Sequence, residues 1–148
     1  MISEIQPGNT ARPELYEMLQ NIENSKTPED KDILAKQYLS KYSSFRDYLR
    51  CVFDQKIQFL LPEGRPPFDP AKEDKYPSTW HKQNSKLQYI VKGLKADNVH
   101  PIKRETIFIG ILESVHPSDS EILISMISKK LPNSVSDATA KVLKEVLS

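Results

Sequence analysis

The stretch HPIKRETIFIGILESVHPSDSEILISMISKKL, residues 100–131, decides the fold. It holds two apolar runs, each opened by a His-Pro pair, His100-Pro101 and His116-Pro117. Proline suits the first helical position, because its φ is already helical and its missing N–H would have no partner there. Behind Pro101, the residues Ile102, Phe108, Ile109, Ile111, Leu112 and Val115 wrap far round a helical wheel. A helix from Pro101 to about Val115 is therefore expected as the central, most buried element, with Gly110 marking a close helix–helix contact. Behind Pro117, Ile122, Leu123, Met126 and Ile127 repeat the rhythm, and Pro132 ends it. Ile107 to Ile111 has β-branched residues enough to test as a strand, but its apolar pattern runs on too long.

Outward from this pair the helical signals continue. A last helix from about Ser136 to Leu147 carries Val142, Leu143, Val146 and Leu147. Toward the N-terminus, Ser78 or Thr79 caps a fourth helix whose face runs from Trp80 through Leu87, Ile90, Val91 and Leu94 to its end at Asp97-Asn98. Ser43 or Ser44 caps a third, with Phe45, Leu49, Val52 and Phe53 on its buried face. Thr27, Pro28 and Asp30 open a second, with Ile33, Leu34 and Tyr38 facing inward. Pro13-Glu14 opens a first, with Leu15, Met18, Leu19 and Ile22 in one stripe.

Between the third and fourth, PEGRPPFDPAKEDKYP (62–77) holds five of the eleven prolines and breaks any helix. Phe68 and Tyr76 argue that this segment lies against the body, since a free linker lacks apolar anchors. The expectation is an all-α fold, an irregular bundle or array of six to seven short helices with one long Pro-rich connector, forming a single domain over 1–148 in which residues 1–12 are free to be flexible. Any sheet is limited to a short pair near Ile57–Leu61.

The chemistry-bearing residues exclude more than they suggest. One cysteine, Cys51, rules out an intrachain disulfide, suits a reducing compartment, and sits beside an apolar stripe as a buried structural thiol would. The histidines His81, His100 and His116 lack metal-site spacing, and the last two are read as boundary residues whose rings serve helix starts. Gly8, Gly64, Gly93 and Gly110 never cluster, so neither a P-loop nor a dinucleotide fingerprint exists. Acidic pairs such as Glu29/Asp30 and Asp119/Glu121 sit in first helical turns, where the helix dipole favours them. No catalytic, cofactor or metal residue is assigned, and the expectation is not an enzyme. The N-terminus lacks a basic start and an apolar run, so no leader and no membrane span are expected.

Two surfaces compete for a role. Overall charge is near balance, with 21 basic against 20 acidic residues, but residues 72–104 hold 8 basic and 3 acidic groups. In this island Lys82, Lys86 and Tyr89 fall at i, i+4 and i+7, with Lys75 and Tyr76 before and Lys92, Lys95, Lys103 and Arg104 after. Cations interleaved with aromatics are a nucleic-acid pattern. The other surface is Arg65-Pro66-Pro67-Phe68, whose prolines pre-order it for a protein partner with Phe68 as anchor.

The segments Leu61–Pro67, Lys92-Gly93-Leu94, Pro101–Glu105 and Leu112–Pro117 resemble a family of small uncharacterised proteins of T4-like tailed bacteriophages, over about residues 13–131. The resemblance carries no assigned activity and no catalytic residues. It implies a phage product acting in the cytoplasm of an infected bacterium, or a minor virion component. The leading expectation is a non-enzymatic accessory protein that binds a phage or host protein; the alternative is a nucleic-acid-binding factor in replication, recombination or transcription.

Overall fold

The computed structural model describes residues 12–148, so the expectation for residues 1–12 falls, apart from Arg12, outside the described residues. Seven α-helices occupy that span: α1 Leu15–Glu23, α2 Pro28–Lys41, α3 Ser43–Phe53, α4 Trp80–Gln83, α5 Pro101–Ser114, α6 Pro117–Ile127 and α7 Asp137–Leu147. Two 3-10 segments, Asn84–Tyr89 and Lys95–Asn98, follow α4. Among the described residues there is no strand, and the fold is all-α. The short pair near Ile57–Leu61 is one antiparallel bridge between Phe59 and Val91, flanked by bonds from Leu60 N–H to Ile90 O and from Lys92 N–H to Gln58 O, each 2.8 Å.

The centre is α3, not α5. Helix α3 packs against α2, α4, α6, α7 and the first 3-10 segment, and buries Ser44, Phe45, Tyr48, Leu49, Cys51 and Val52. Phe53, at its end, is only half-buried. Trp80 closes over α3, fully buried, with its indole N–H donating to Ser44 O at 2.9 Å. Helix α5 buries only Phe108, Ile111 and Leu112, while Ile102 is 69% exposed and Gly110 has no atom within 4 Å of where a Cβ would stand. Its main partners, α6 and the first 3-10 segment, leave part of its wide apolar surface uncovered. An apolar wheel reports what could be buried, not how much neighbour is available.

The fourth helix also differs from its sequence pattern. It makes one α-helical turn and then tightens, because local side chains offer the backbone other partners. Ser85 Oγ donates to Lys82 O at 3.3 Å and Gln88 Nε2 to Ser85 O at 3.0 Å, while Asn84 Nδ2 ties the segment to Asp47 Oδ2 on α3 at 2.6 Å. Leu87 and Ile90 still face the core, but Leu94 is 54% exposed. The capping role expected of Ser43 or Ser44 is absent: Tyr42 is the N-cap of α3, and no side chain caps it. Thr79 is the N-cap of α4 without a side-chain bond. Ser136, expected only as the start of the last helix, caps α7 by accepting from Thr139 N–H; the remaining caps follow the sequence pattern, with Thr27 accepting from Asp30 N–H and the Nδ1 atoms of His100 and His116 from Ile102 and Ser118 N–H. Because Nδ1 accepts in both rings, each neutral ring carries its proton on Nε2.

Helix α1 is held at both ends by buried ionisable side chains from other helices, Lys31 of α2 and Asp119 of α6. At its C-terminus, which carries no basic residue of its own, the Lys31 ammonium donates to Ile22 O (3.1 Å), Glu23 O (2.8 Å) and Thr139 Oγ1 (2.9 Å). That demand sets the rotation of α2. Lys31, Ala35 and Leu39 therefore face inward and Ile33 is turned out, 55% exposed, against the sequence expectation. Glu23 extends the junction by accepting from Ser136 N–H (3.0 Å) and Oγ (3.1 Å) at the start of α7, bonds that hold its carboxyl below the usual range.

At the N-terminus of α1, the fully buried Asp119 accepts from Tyr16 N–H at 2.7 Å. A first-turn N–H has no partner within its own helix, so a carboxylate from α6 supplies one. Around it lie the Glu14 and Glu17 carboxyls, the Tyr48 phenol and the Tyr16 ring, which stacks on His116 at 4.3 Å. Tyr76 from the Pro-rich segment donates to Glu14 Oε2 at 2.7 Å and meets His116 edge-on at 5.2 Å. The other Asp119 oxygen, Oδ2, is buried without a partner.

Two outcomes test these contacts. Replacing Lys31 with Met should cost about 2–3 kcal/mol in urea unfolding, because charge-assisted bonds to buried carbonyls are lost. The Thr139→Val cost should not add to it, since both report one junction. Burial lifts the Asp119 carboxyl to about 7, against an ordinary 3.8, with Glu14 and Glu17 reinforcing the shift. The folded state thus holds this proton more tightly than the unfolded chain, so the stability it contributes is full below about pH 4 and is lost as pH rises through about 7. Asp119→Asn should remove that slope, by about 4 kcal/mol at most, making the wild type fall relative to the variant between pH 4 and 8; parallel stability curves would contradict it.

Candidate functional site

The Pro-rich segment is a strap tied down along its length. Arg65 makes a bidentate pair with Glu121 on α6, both bonds 2.7 Å, and its guanidinium lies over the Phe68 ring at 5.1 Å. Asp69 N–H donates to Glu113 Oε2 on α5 at 2.8 Å, and Phe68 is half-buried against the core. Pro66 is half-buried and Pro67 exposed. Of the four residues singled out here, Arg65 and Phe68 are thus already engaged with one another and with the body. The exposed Arg65–Glu121 pair is worth little by itself, about 1 kcal/mol or less.

Beside the strap lies a feature that the sequence pattern did not flag. Phe59, Leu60, Leu61, Pro62, Pro101 and Ile102 line an open groove of about 400 Å³, with Arg104 and Glu105 as its charged members. Its apolar wall ends in the exposed Ile102, at the start of α5.

The basic island divides. Arg104 is spent inside: its Nε–H donates to Leu60 O at 3.0 Å, and Nη1 to Ala96 O and Val99 O, so it clamps the bridge segment to the second 3-10 segment. Tyr76 is spent on Glu14. Tyr89 has its ring partly covered by the Lys95 ammonium at 5.8 Å, and Trp80 is buried. Lys75, Lys82, Lys86, Lys92, Lys95 and Lys103 are exposed, and none enters a salt bridge among the described residues. The i, i+4, i+7 alignment of Lys82, Lys86 and Tyr89 does not survive, because the α-helix ends at Gln83.

Several groups with chemical potential are closed off. Ser44 Oγ lies 2.7 Å from His81 Nδ1, the distance of a nucleophile and its base. Yet His81 Nε2 faces Pro13 O at 2.8 Å, so Nε2 carries the proton and the Ser44 hydroxyl donates to Nδ1. Ser44 is 2% exposed, and burial lowers the affinity of His81 for a second proton. Cys51 is likewise buried, its thiol pushed up to about 12, which keeps it protonated. Lys129 donates to Cys51 O (2.7 Å) and Asp54 O (2.9 Å) at the end of α3, and desolvation lowers its ammonium. Among the described residues no group of three His, Cys, Asp or Glu side chains is placed to hold a metal ion, and no helix is long and apolar enough to cross a membrane.

Two further grooves open around α3. One, about 690 Å³ between α2, α3 and α7, includes Lys36, Arg46, Arg50 and Lys144, of which Lys36 pairs with Asp32 at 3.0 Å and Arg46 donates to Leu39 O at 3.0 Å. The other, about 590 Å³, lies between α3 and residues 84–94 and includes the exposed Leu94.

No curated protein and no solved structure matches the chain. Residues 18–133 match the model of a family of unknown function (DUF6433), a span from within α1 to the approach to α7 that contains the strap, the bridge and both His-Pro helices. The chain belongs to that family.

Proposed function

We propose that the protein is a non-enzymatic phage accessory protein that acts by binding a phage or host protein in the cytoplasm of the infected bacterium. The observation that carries this reading is Ile102, a large aliphatic side chain 69% exposed at the edge of an apolar groove beside the strap. Exposed single apolar residues are ordinary; one that continues a groove wall of Phe59, Leu60 and Pro101 makes a contiguous patch, which is what protein contacts use. The internal use of the Ser44–His81 pair, Asp119 and Cys51 favours binding over catalysis.

The strap supports the reading as a scaffold. With Phe68 and Arg65 holding it to α6, Leu61 and Pro62 are presented in a fixed conformation, so a partner meets a surface that loses little entropy on binding. The tagged chain should recover one stoichiometric partner from infected-cell lysate. Ile102→Asp should reduce recovery roughly tenfold or more without changing the thermal melt, and Phe68→Ala should reduce it through loss of strap order. Recovery unaffected by Ile102→Asp, or no enriched partner, would count against the reading.

One observation favours a second reading, a nucleic-acid-binding accessory factor: the island's lysines are exposed without carboxylate partners among the described residues. Binding of that kind would fall steeply with salt and on neutralising Lys82, Lys86 and Lys92 together. It stands second because Tyr76, Tyr89 and Trp80 are covered or engaged, leaving few faces on which bases could stack.

A further inference from the structure

We infer that the groove between α3 and residues 84–94 is a second docking site, and that its occupant is an acidic, amphipathic segment of another protein. The site shares no residue with the strap groove, so it goes beyond the reading given above and can fail independently of it.

Four aliphatic side chains, Ile57, Leu87, Val91 and Leu94, line the groove beside the polar Asn84, Ser85 and Gln88, and Leu94 is more than half exposed. Leu94 follows Gly93, whose φ of +90° is reached cheaply only without a side chain, and whose N–H is held by Asp97 Oδ1 at 2.9 Å. The turn that presents Leu94 is therefore fixed by backbone geometry and a local bond. A volume of about 590 Å³ is in the range of sites that take up a few apolar side chains.

The rim supplies the sign. Arg50, Lys56 and Lys92 line the groove, are exposed, and enter no salt bridge among the described residues. The one carboxylate lining it, Asp47, is engaged by Asn84 at 2.6 Å. An aliphatic trough edged by three free cations is complementary to aliphatic side chains three or four residues apart with Asp or Glu flanking them. A nucleic acid would find the cations but no aromatic face lining this groove. The continuity of wall and rim is set by the fold: Cys51 and Arg50 come from α3, Ile57 and Lys56 from the turn after it, and Val91 and Lys92 from the bridge.

A displayed library of short random peptides, panned on the full chain, tests the site. Enriched peptides should carry paired apolar residues with acidic neighbours. They should bind Leu94→Asp roughly tenfold or more weakly, lose affinity for the Lys56→Glu/Lys92→Glu variant, and bind Ile102→Asp as they bind the wild type. All the substituted side chains are exposed, and circular dichroism melts check that each variant folds. The site is overturned if the enriched peptides show no acidic excess, if their binding survives Leu94→Asp, if nothing is enriched, or if a single-stranded oligonucleotide displaces them completely. Peptides lost on Ile102→Asp and kept on Leu94→Asp would overturn this site while leaving the strap-face reading intact.

Discussion

A short helix with its two ends tied by buried ionisable side chains from elsewhere in the chain is the constraint on which the rest depends. Helix α1 has only nine residues, too few to be stable alone in water. Its first turn gives the Tyr16 N–H to the Asp119 carboxyl of α6, and its negative end meets the Lys31 ammonium of α2 in the sense the helix dipole favours. The same two groups fix three further elements. Lys31 reaches Thr139 and so seats α7, while Asp119 brings α6 against the aromatic cluster of Tyr16, His116 and Tyr76 that anchors the C-terminal end of the strap. With α1, α2, α6 and α7 so placed, α3 has neighbours on several sides and becomes the core helix.

Burying charge in this way consumes polar groups that would otherwise be available at the surface. Arg104, Lys129, Lys31, Asp119, Ser44 and His81 all find partners within the chain, most of them backbone carbonyls or amides. Among the described residues the outer surface is left with unpaired lysines and three large aliphatic exposures, Ile33, Ile102 and Leu94, of which the last two each stand at the end of a groove. Both grooves adjoin the bridge between Phe59 and Val91, where extended chain pairs with a segment more than thirty residues away. The bridge gives each groove a wall in which the Leu60 and Lys92 amides already have carbonyl partners.

How much of this the sequence revealed follows from distance along the chain. The His100 and His116 caps were legible because ring and amide lie two residues apart, and the Thr27 cap because its partner lies three apart. Asp119 read as an ordinary first-turn acid, because Tyr16 N–H is 103 residues away, and Lys31 gave no signal, because Thr139 is 108 away. Ile33 was misplaced for the same reason: the rotation of α2 is decided by Lys31 rather than by its own apolar spacing. Residues 84–94 looked helical because their apolar period is right, yet side-chain bonds from Ser85 and Gln88 to nearby carbonyls compete with the helix. Of the candidate surfaces, the strap and the lysines were visible as composition. Which of their members were already committed, and that Leu94 would project beside Lys56 and Lys92, depended on segments brought together only by folding.

Amide hydrogen exchange at Tyr16 tests the central constraint directly. A second-position helical N–H ordinarily exchanges as an open group, because no carbonyl of its own helix reaches it. If the Asp119 carboxyl holds α1 in place, the Tyr16 amide should exchange as slowly as the buried core of α3, opening only with global unfolding, and should lose that protection in Asp119→Ala while α3 keeps its own. Fast exchange at Tyr16 in the wild type, at the rate of a frayed helix start, would contradict the account.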